Sequence, residues 1–277
     1  MDLDQKINSE RVRSQSLDQR ENSRFKERQR ELFPLSTILE FPNAPTADSW
    51  GEVIAEDNER YTVKGNKGGP YVRVAEWMST KIAERVKIQC ATPRIIKIDD
   101  GELLFGSRHI TGKNDDAVTA EILTSISHGI ARTPIPGLTS WISSLCALDM
   151  FLNNVDRHEN NYISIDVHGT RRFFPIDFGR SFVFSGDYQA FPNESTHTVV
   201  RGRAIRKRHG FEIGAAIAMS DLISSVSLDF IKETLAEMPS VWMPMREREQ
   251  FLNWWLSPLF FQKIERLRKG LIDGTLL

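Results

Sequence analysis

Cysteine is scarce in this sequence. Cys90 and Cys146 are its two cysteines, too few and too far apart for a disulfide framework or a cysteine-built zinc site. They read as free thiols in a reducing compartment. An excess of charge of one sign is also missing. The 36 Lys and Arg nearly balance the 37 Asp and Glu, for a formal net charge of −1. No overall field therefore draws the chain to nucleic acid or to an acidic membrane. No apolar run approaches the roughly 18 residues that a membrane-spanning helix needs. The N-terminus has no apolar core of a secretory signal, and the expectation is a soluble, cytoplasmic protein. The glycine patterns G-x-G-x-x-G and G-x-x-x-x-G-K-[ST] are absent, as is any repeat at a solenoid period.

What is present is enough chain for a large core. The 277 residues are 40% hydrophobic and 26% charged, ordinary values for one large domain or two lobes. Residues 1–33 stand apart. "MDLDQKINSERVRSQSLDQRENSRFKERQREL" carries seven acidic and eight basic residues, with no Gly or Pro. Such a stretch reads as a charged helix or disordered arm, and a partner-binding arm is the functional alternative. "FPLSTILEFPNAPT", punctuated by Pro34, Pro42 and Pro45, reads as the entry to the folded part.

Residues 34–108 read as a small β-rich lobe with one helix. "GEVIAEDNERYTVK" is two apolar runs around Glu56-Asp57-Asn58-Glu59, a hairpin pattern. In "YVRVAEWMSTKIAERV", Val72, Ala75, Met78, Ile82 and Val86 recur at helical spacing. "TPRIIKIDDGELLFGS" is a second hairpin turning at Asp100-Gly101. Residues 109–277 change pattern. "AVTAEILTSISHGIA" and "LTSWISSLCALDMFLNN" are helical, and "NYISI" and "RRFFPI" flank a third turn at His168-Gly169. From Leu222 onward the chain is mostly helical, with "LDFIKETLAEM" and then "REREQFLNWWLSPLFFQKIERLRKGLI". A β-rich lobe joined to a larger helical lobe is a two-lobed α+β architecture, with a ligand cleft expected between the lobes.

One stretch carries chemistry. In "NNVDRHENNYISIDVHGTRRFFPIDFGRSF", Asp156 is followed five residues on by Asn161, and an apolar strand then leads into Asp177-Phe178-Gly179. Phosphoryl transfer needs an acid to accept the proton of the attacking hydroxyl, and oxygen ligands to hold magnesium. D-x-x-x-x-N followed by D-F-G supplies both. Taken singly, Asp, Asn and Gly are ordinary loop residues. Their order after a helix and a strand is what points to a phosphoryl-transfer site.

The loop order is Asp156-Arg157-His158, not H-R-D. D-R-H-x-x-N followed by I-D-F-G resembles the phosphatidylinositol 3-/4-kinases and, more broadly, the HipA-like kinases. The wider chain favours the second group. "RYTVKGN" followed by "GGPYVRVAEWMSTKIAERV" resembles that family's strand lysine and helix glutamate; "TPRII" and "LLFGS" resemble its next strand and hinge. "EMPSVWM" and the closing helices resemble its C-terminal end, so that the likeness runs over roughly residues 45–265. The resemblance implies a two-lobed protein-kinase-like fold using ATP and Mg²⁺. It implies Lys64, Glu76, Phe105 and Gly106 at the nucleotide, and Asn161 and Asp177 at the metal. Asp156 would be the base, with His158 steadying it or the transferred phosphate. The nucleotide-covering loop has one candidate, "PTADSWGE", whose sole glycine is Gly51. His109 and His128 read most simply as surface or core residues.

A basic cluster follows, "RGRAIRKRHG", with Arg201, Arg203, Arg206, Lys207 and Arg208. It reads either as a solvated loop or as a site for an anionic acceptor, an acidic peptide or a lipid headgroup. No DNA-binding fold is recognisable. The expectation is therefore a kinase acting on a protein Ser/Thr hydroxyl, possibly its own. The alternatives are a lipid kinase, an AMP transferase and a silent nucleotide-binding regulator.

Overall fold

The computed structural model describes residues 33–42, 49–124 and 135–277. The charged arm over residues 1–32, most of the loop candidate before Gly51, and His128 lie outside them.

Five strands come first: β1 (Leu35–Phe41), β2 (Gly51–Ala55), β3 (Arg60–Lys64), β4 (Pro93–Lys97) and β5 (Leu103–Arg108). They close into a small barrel in the order β1-β2-β3-β5-β4. The two hairpins read from the sequence are the antiparallel pairs β2–β3 and β4–β5. Their turns hold left-handed residues, Asn58 at φ 62° and Gly101 at φ 87°. Alternate side chains of these strands make a separate small core of Val53, Ala55, Tyr61, Val63, Ile96, Ile98 and Leu104. Gly51 opens β2 against the end of β1, where an added Cβ would lie 2.2 Å from the Phe41 carbonyl oxygen. That close strand approach is why a glycine stands there. β1 completes the barrel by pairing with β2 and, in parallel, with β4; its stretch of sequence reads only as the entry to the folded part, with no strand marked in it.

Helix α1 (Val72–Arg85) belongs to the other core. Val74, Ala75, Trp77, Met78 and Ile82 join one continuous cluster with the helices that follow. Those are α2 (Asp116–Thr124), α3 (Leu138–Leu152), α4 (His197–His209), α5 (Ile213–Ser224), α6 (Leu228–Glu237), α7 (Met245–Leu256) and α8 (Pro258–Asp273). Two indoles tie α1 and the barrel down to this helical lobe. Trp77 Nε1 donates to the Thr234 carbonyl at 3.2 Å, and Trp242 Nε1 donates to that of Leu103 at 2.9 Å. The orientation of α1, and of any side chain it carries toward the barrel, is therefore set from below. The third hairpin is a two-stranded sheet, β6 (Tyr162–Val167) with β7 (Thr170–Pro175), turning through left-handed His168 and Gly169. Among the described residues no single helix is long and apolar enough to cross a membrane.

Two sequence readings change. "RGRAIRKRHG" is not a loop: Arg201 to Arg208 lie within α4, which ends at Gly210 with φ 84°. The final helical run is two helices, broken where Pro258 starts α8 behind Ser257, because proline is tolerated in a first turn and not inside a helix.

Candidate active site

A cleft of about 760 Å³ opens between the barrel and the helical lobe. Its walls include Lys64, Glu76, Phe105, Asp156, His158, Asn161 and Asp177. They arrive on five separate supports. Lys64 ends β3, where it pairs with Phe105 of β5. Glu76 sits in the second turn of α1. Asp156, His158 and Asn161 lie on the loop after α3, and Asp177 follows β7.

Three of these side chains form one charged group. Lys64 Nζ lies 2.6 Å from Glu76 Oε1 and 2.6 Å from Asp177 Oδ1. Lys64 and Glu76 are buried, at 8% and 2% exposure. Burial works against the Lys64 charge, but the two carboxylates outweigh it and raise the pKa of the ammonium. Burial pushes the Glu76 carboxyl up. Asp177 is held below the usual carboxylate range: its burial is outweighed by the Lys64 ammonium. Asp177 adopts left-handed backbone, φ 61°, a conformation that costs a non-glycine residue roughly 1–2 kcal/mol and concentrates at functional sites. Gly179 has a different role from the turn that D-F-G suggests. A Cβ there would come within 3.3 Å of Glu76 Oε1 and 3.2 Å of Val72 Cγ1, so the glycine lets the segment lie against α1.

The loop over residues 153–161 is built on a buried ion pair. Left-handed Asn153 caps α3. Arg157 then turns inward, with Nε 2.9 Å from Asp149 Oδ2 and Nη2 3.1 Å from Oδ1. Asp149 is 1% exposed and Arg157 3%. Nη1 of Arg157 donates to the carbonyls of Asn161, at 3.1 Å, and of Ile176. Its guanidinium stacks 4.5 Å over the buried Phe178 ring. Backbone bonds from Val155 to Arg180, Ile176 to Asn161 and Phe182 to Asn153 join this loop to the D-F-G segment. With Arg157 inside, Asp156 and His158 face the cleft. Asn161 Nδ2 donates to the Asp156 carbonyl at 3.1 Å, which leaves the amide oxygen as the end available to a cation. Among the described residues no cluster of three or more His, Cys, Asp or Glu side chains could hold a metal alone. Asp177 and Asn161 would need phosphate oxygens to complete a magnesium shell, the usual arrangement for that ion. Burial lowers the pKa of His158 against the pull of Asp156 and Glu159.

Gly106 and the basic cluster depart from expectation. Gly106 is absent from the cleft wall. It lies inside β5, where an added Cβ would meet Ile96 Cγ1 at 2.6 Å, so its smallness serves packing in the barrel. The cleft wall instead continues from Ser107 and Arg108 at the end of β5 to His109 and Ile110. The basic cluster is divided by its helix. Arg201, Arg203 and Lys207 are exposed, whereas Arg206 and Arg208 are half-buried. Arg206 Nη1 points at Cys146 Sγ, 3.6 Å away.

Several contributors were not read from the sequence. His109 lines the cleft and lies 3.0 Å from Thr62 Oγ1. His197, the first residue of α4, places Nδ1 2.6 Å from Asp156 Oδ1. No periodicity or motif marks His197, which lies 41 residues from its partner. Asp149 sits in an α3 whose apolar spacing could at most have flagged one buried acid.

No family model matches the sequence, and no curated protein matches it either. Solved structures do. The proinflammatory kinase CtkA of Helicobacter pylori is 13% identical, with a TM-score of 0.54 over 85% of this chain and 94% of that one. HipA of Shewanella oneidensis MR-1, in a toxin–antitoxin complex with HipB and operator DNA, is 12% identical, with a TM-score of 0.43 over 79% and 60%. WaaP in complex with acyl carrier protein is 14% identical, with a TM-score of 0.34 over 85% and 89%. At these identities the first likeness speaks for the fold alone, and the other two add no weight. The chain has the two-lobed protein-kinase-like fold that its sequence resemblance to the HipA-like kinases implies.

Proposed function

We propose that the chain is an ATP- and Mg²⁺-dependent kinase of HipA-like type that phosphorylates a Ser or Thr hydroxyl of a protein, its own chain included. One observation carries the reading: Lys64, Glu76, Asp177, Asn161 and Asp156 meet in one cleft although Lys64 and Asp177 are 113 residues apart. A strand lysine paired with a helix glutamate, beside a D-F-G aspartate, is the arrangement that positions phosphates and metal in kinases. The cleft volume of about 760 Å³ lies within the range of small-molecule sites.

ATP with Mg²⁺ would supply the transferable phosphoryl group and neutralise its charge. The residues of the chain have separable tasks. Lys64 holds phosphate oxygens, and Glu76 keeps its ammonium in place. Asp177 and the Asn161 amide oxygen hold the metal. Asp156 takes the proton of the acceptor hydroxyl. Phe105 and Ile110 provide apolar wall for a base. α4 begins beside Asp156, and its exposed Arg201, Arg203 and Lys207 favour an acidic acceptor segment, with an anionic lipid as the competing ligand to be tested. The N-terminal arm remains a candidate partner-binding element on its charge pattern alone.

Asp177→Asn tests the metal assignment. It should abolish Mg²⁺-dependent ATP turnover while far-ultraviolet circular dichroism stays that of the wild type, because a metal carboxylate is lost. Near-normal turnover in that variant would refute the assignment.

A further inference from the structure

We infer that His197 is a positioning residue for Asp156, holding one oxygen of the carboxylate so that the other faces the acceptor hydroxyl; this rests on the kinase reading above. The first support is the bond itself, 2.6 Å from His197 Nδ1 to Asp156 Oδ1. An ionised carboxylate can only accept, so Nδ1 carries the proton, and the bond has the short length of a charge-assisted one. With Oδ1 committed to the imidazole, proton acceptance falls to Oδ2.

The second support is how the imidazole gets there. Its neighbour Thr198 is buried, at 4% exposure. The Thr198 hydroxyl donates to the Asn154 carbonyl at 2.5 Å and accepts from the Arg157 N–H at 2.9 Å. The Thr198 N–H donates to the Val155 carbonyl at 3.4 Å. The first turn of α4 is thus pinned to residues 154, 155 and 157, on both sides of Asp156. His197 approaches the carboxylate from a fixed backbone. The His158 ring stands 5.8 Å away, nearly perpendicular, against the His197 ring.

The third support is exposure. The side chains of His197 and Asp156 are 58% and 38% exposed, and ion pairs of that kind contribute little to folding. Stability does not explain so short a bond between two segments 41 residues apart, whereas orientation of a base does: small misplacements of reacting groups cost rate steeply.

The experiment compares wild type with His197→Ala, His197→Asn and Asp156→Asn. Each is given γ-labelled ATP and Mg²⁺, and label is followed into the chain itself, into casein as a Ser/Thr-containing acceptor, and into free phosphate. Nucleotide affinity is measured separately with a fluorescent ATP analogue. His197→Ala should lower kcat about 10- to 100-fold with nucleotide affinity and unfolding midpoint unchanged. His197→Asn should recover most of the loss, because its amide N–H reaches the position of Nδ1. Two outcomes overturn the inference while leaving the kinase reading intact. In one, His197→Ala is as active as wild type while Asp156→Asn is inactive. In the other, the alanine and asparagine variants are equally impaired, so that the donor is not what matters. Full activity in Asp156→Asn, or a wild type that labels none of the three products, removes the reaction that His197 would serve and overturns both.

Discussion

Arg157→Met should be among the most damaging single substitutions in the helical lobe. The methionine fills much of the volume but leaves Asp149, 1% exposed, without its cation. Breaking a buried pair from one side typically costs about 3–5 kcal/mol. The carbonyl of Ile176, which Arg157 now serves, loses a donor as well, at about 1–3 kcal/mol where water cannot reach it, whereas that of Asn161 keeps the Ile176 N–H. A total near the upper end of the first range would consume a large share of the roughly 5–15 kcal/mol that holds a domain folded. The double variant Asp149→Leu/Arg157→Met buries no charge and should regain at least about 2 kcal/mol over Arg157→Met. Recovery stays incomplete because Asn154 Nδ2, 2.7 Å from Asp149 Oδ1, loses its acceptor. Catalytic activity should not return, since the guanidinium no longer links the Asp156 loop to the Asp177 segment. Urea unfolding followed by tryptophan fluorescence measures the cycle, provided the denaturant slope stays constant. A loss below about 1 kcal/mol in Arg157→Met, or a double variant that loses the sum of the two singles, would refute the buried-pair reasoning.

Two other perturbations have defined outcomes. Lys263 is fully buried, its Nζ 3.1 Å from the Ala190 carbonyl and 5.3–5.9 Å from the ring centroids of Phe151, Phe191 and Trp254. Burial pushes its pKa down from 10.5 to about 7. Between these pH values the unfolded chain holds the proton more tightly than the folded one, so stability should rise with pH across that window. The gain is at most about 5 kcal/mol, reduced by whatever the three ring faces return to the cation. Lys263→Met should flatten the rise, and a pH-independent wild type from 7 to 10 would contradict it. On α4, replacing Arg201, Arg203 and Lys207 together by Gln should raise the acceptor KM several-fold and weaken its salt dependence, because exposed attraction is screened over about 8–10 Å at physiological ionic strength. An unchanged KM for acidic peptides and anionic vesicles alike would make these residues a solvated helix face.

The parts of the fold that were legible are those with local chemical causes. Asp100-Gly101 and His168-Gly169 mark hairpins because left-handed turns need such residues. Val72, Ala75, Met78, Ile82 and Val86 mark α1 by their helical spacing, although Val72 to Thr80 are buried on every side of the helix. β1 was not legible: its burial alternates weakly, with Ile38, Leu39 and Phe41 about half exposed, and its parallel partner β4 is distant in sequence. α4 was read as a loop because only Thr198, Val199 and Ile205 are buried in it. Its anchor, Thr198 on the Asp156 loop, is a tertiary bond with no sequence periodicity. The site shows the same division. Asp156, Asn161 and Asp177 were legible by spacing, and Lys64 and Glu76 by family resemblance and order. His197, Asp149 and the cleft wall from Ser107 to Ile110 arise from folding alone. Gly106 fell in a hinge by resemblance, whereas its strand packs it against Ile96.

Transfer of the terminal phosphoryl group of ATP in this cleft is open to direct measurement. The direct test gives the purified chain ATP labelled at the γ-phosphate and, separately, at the α-phosphate, with Mg²⁺ and a Ser/Thr-containing acceptor, and follows protein-bound label. A kinase gives Mg²⁺-dependent label on Ser or Thr from the γ-position alone, lost in Asp177→Asn. Label from the α-position would mean AMP transfer, label from neither would mean a nucleotide-binding regulator, and either result would refute the kinase reading.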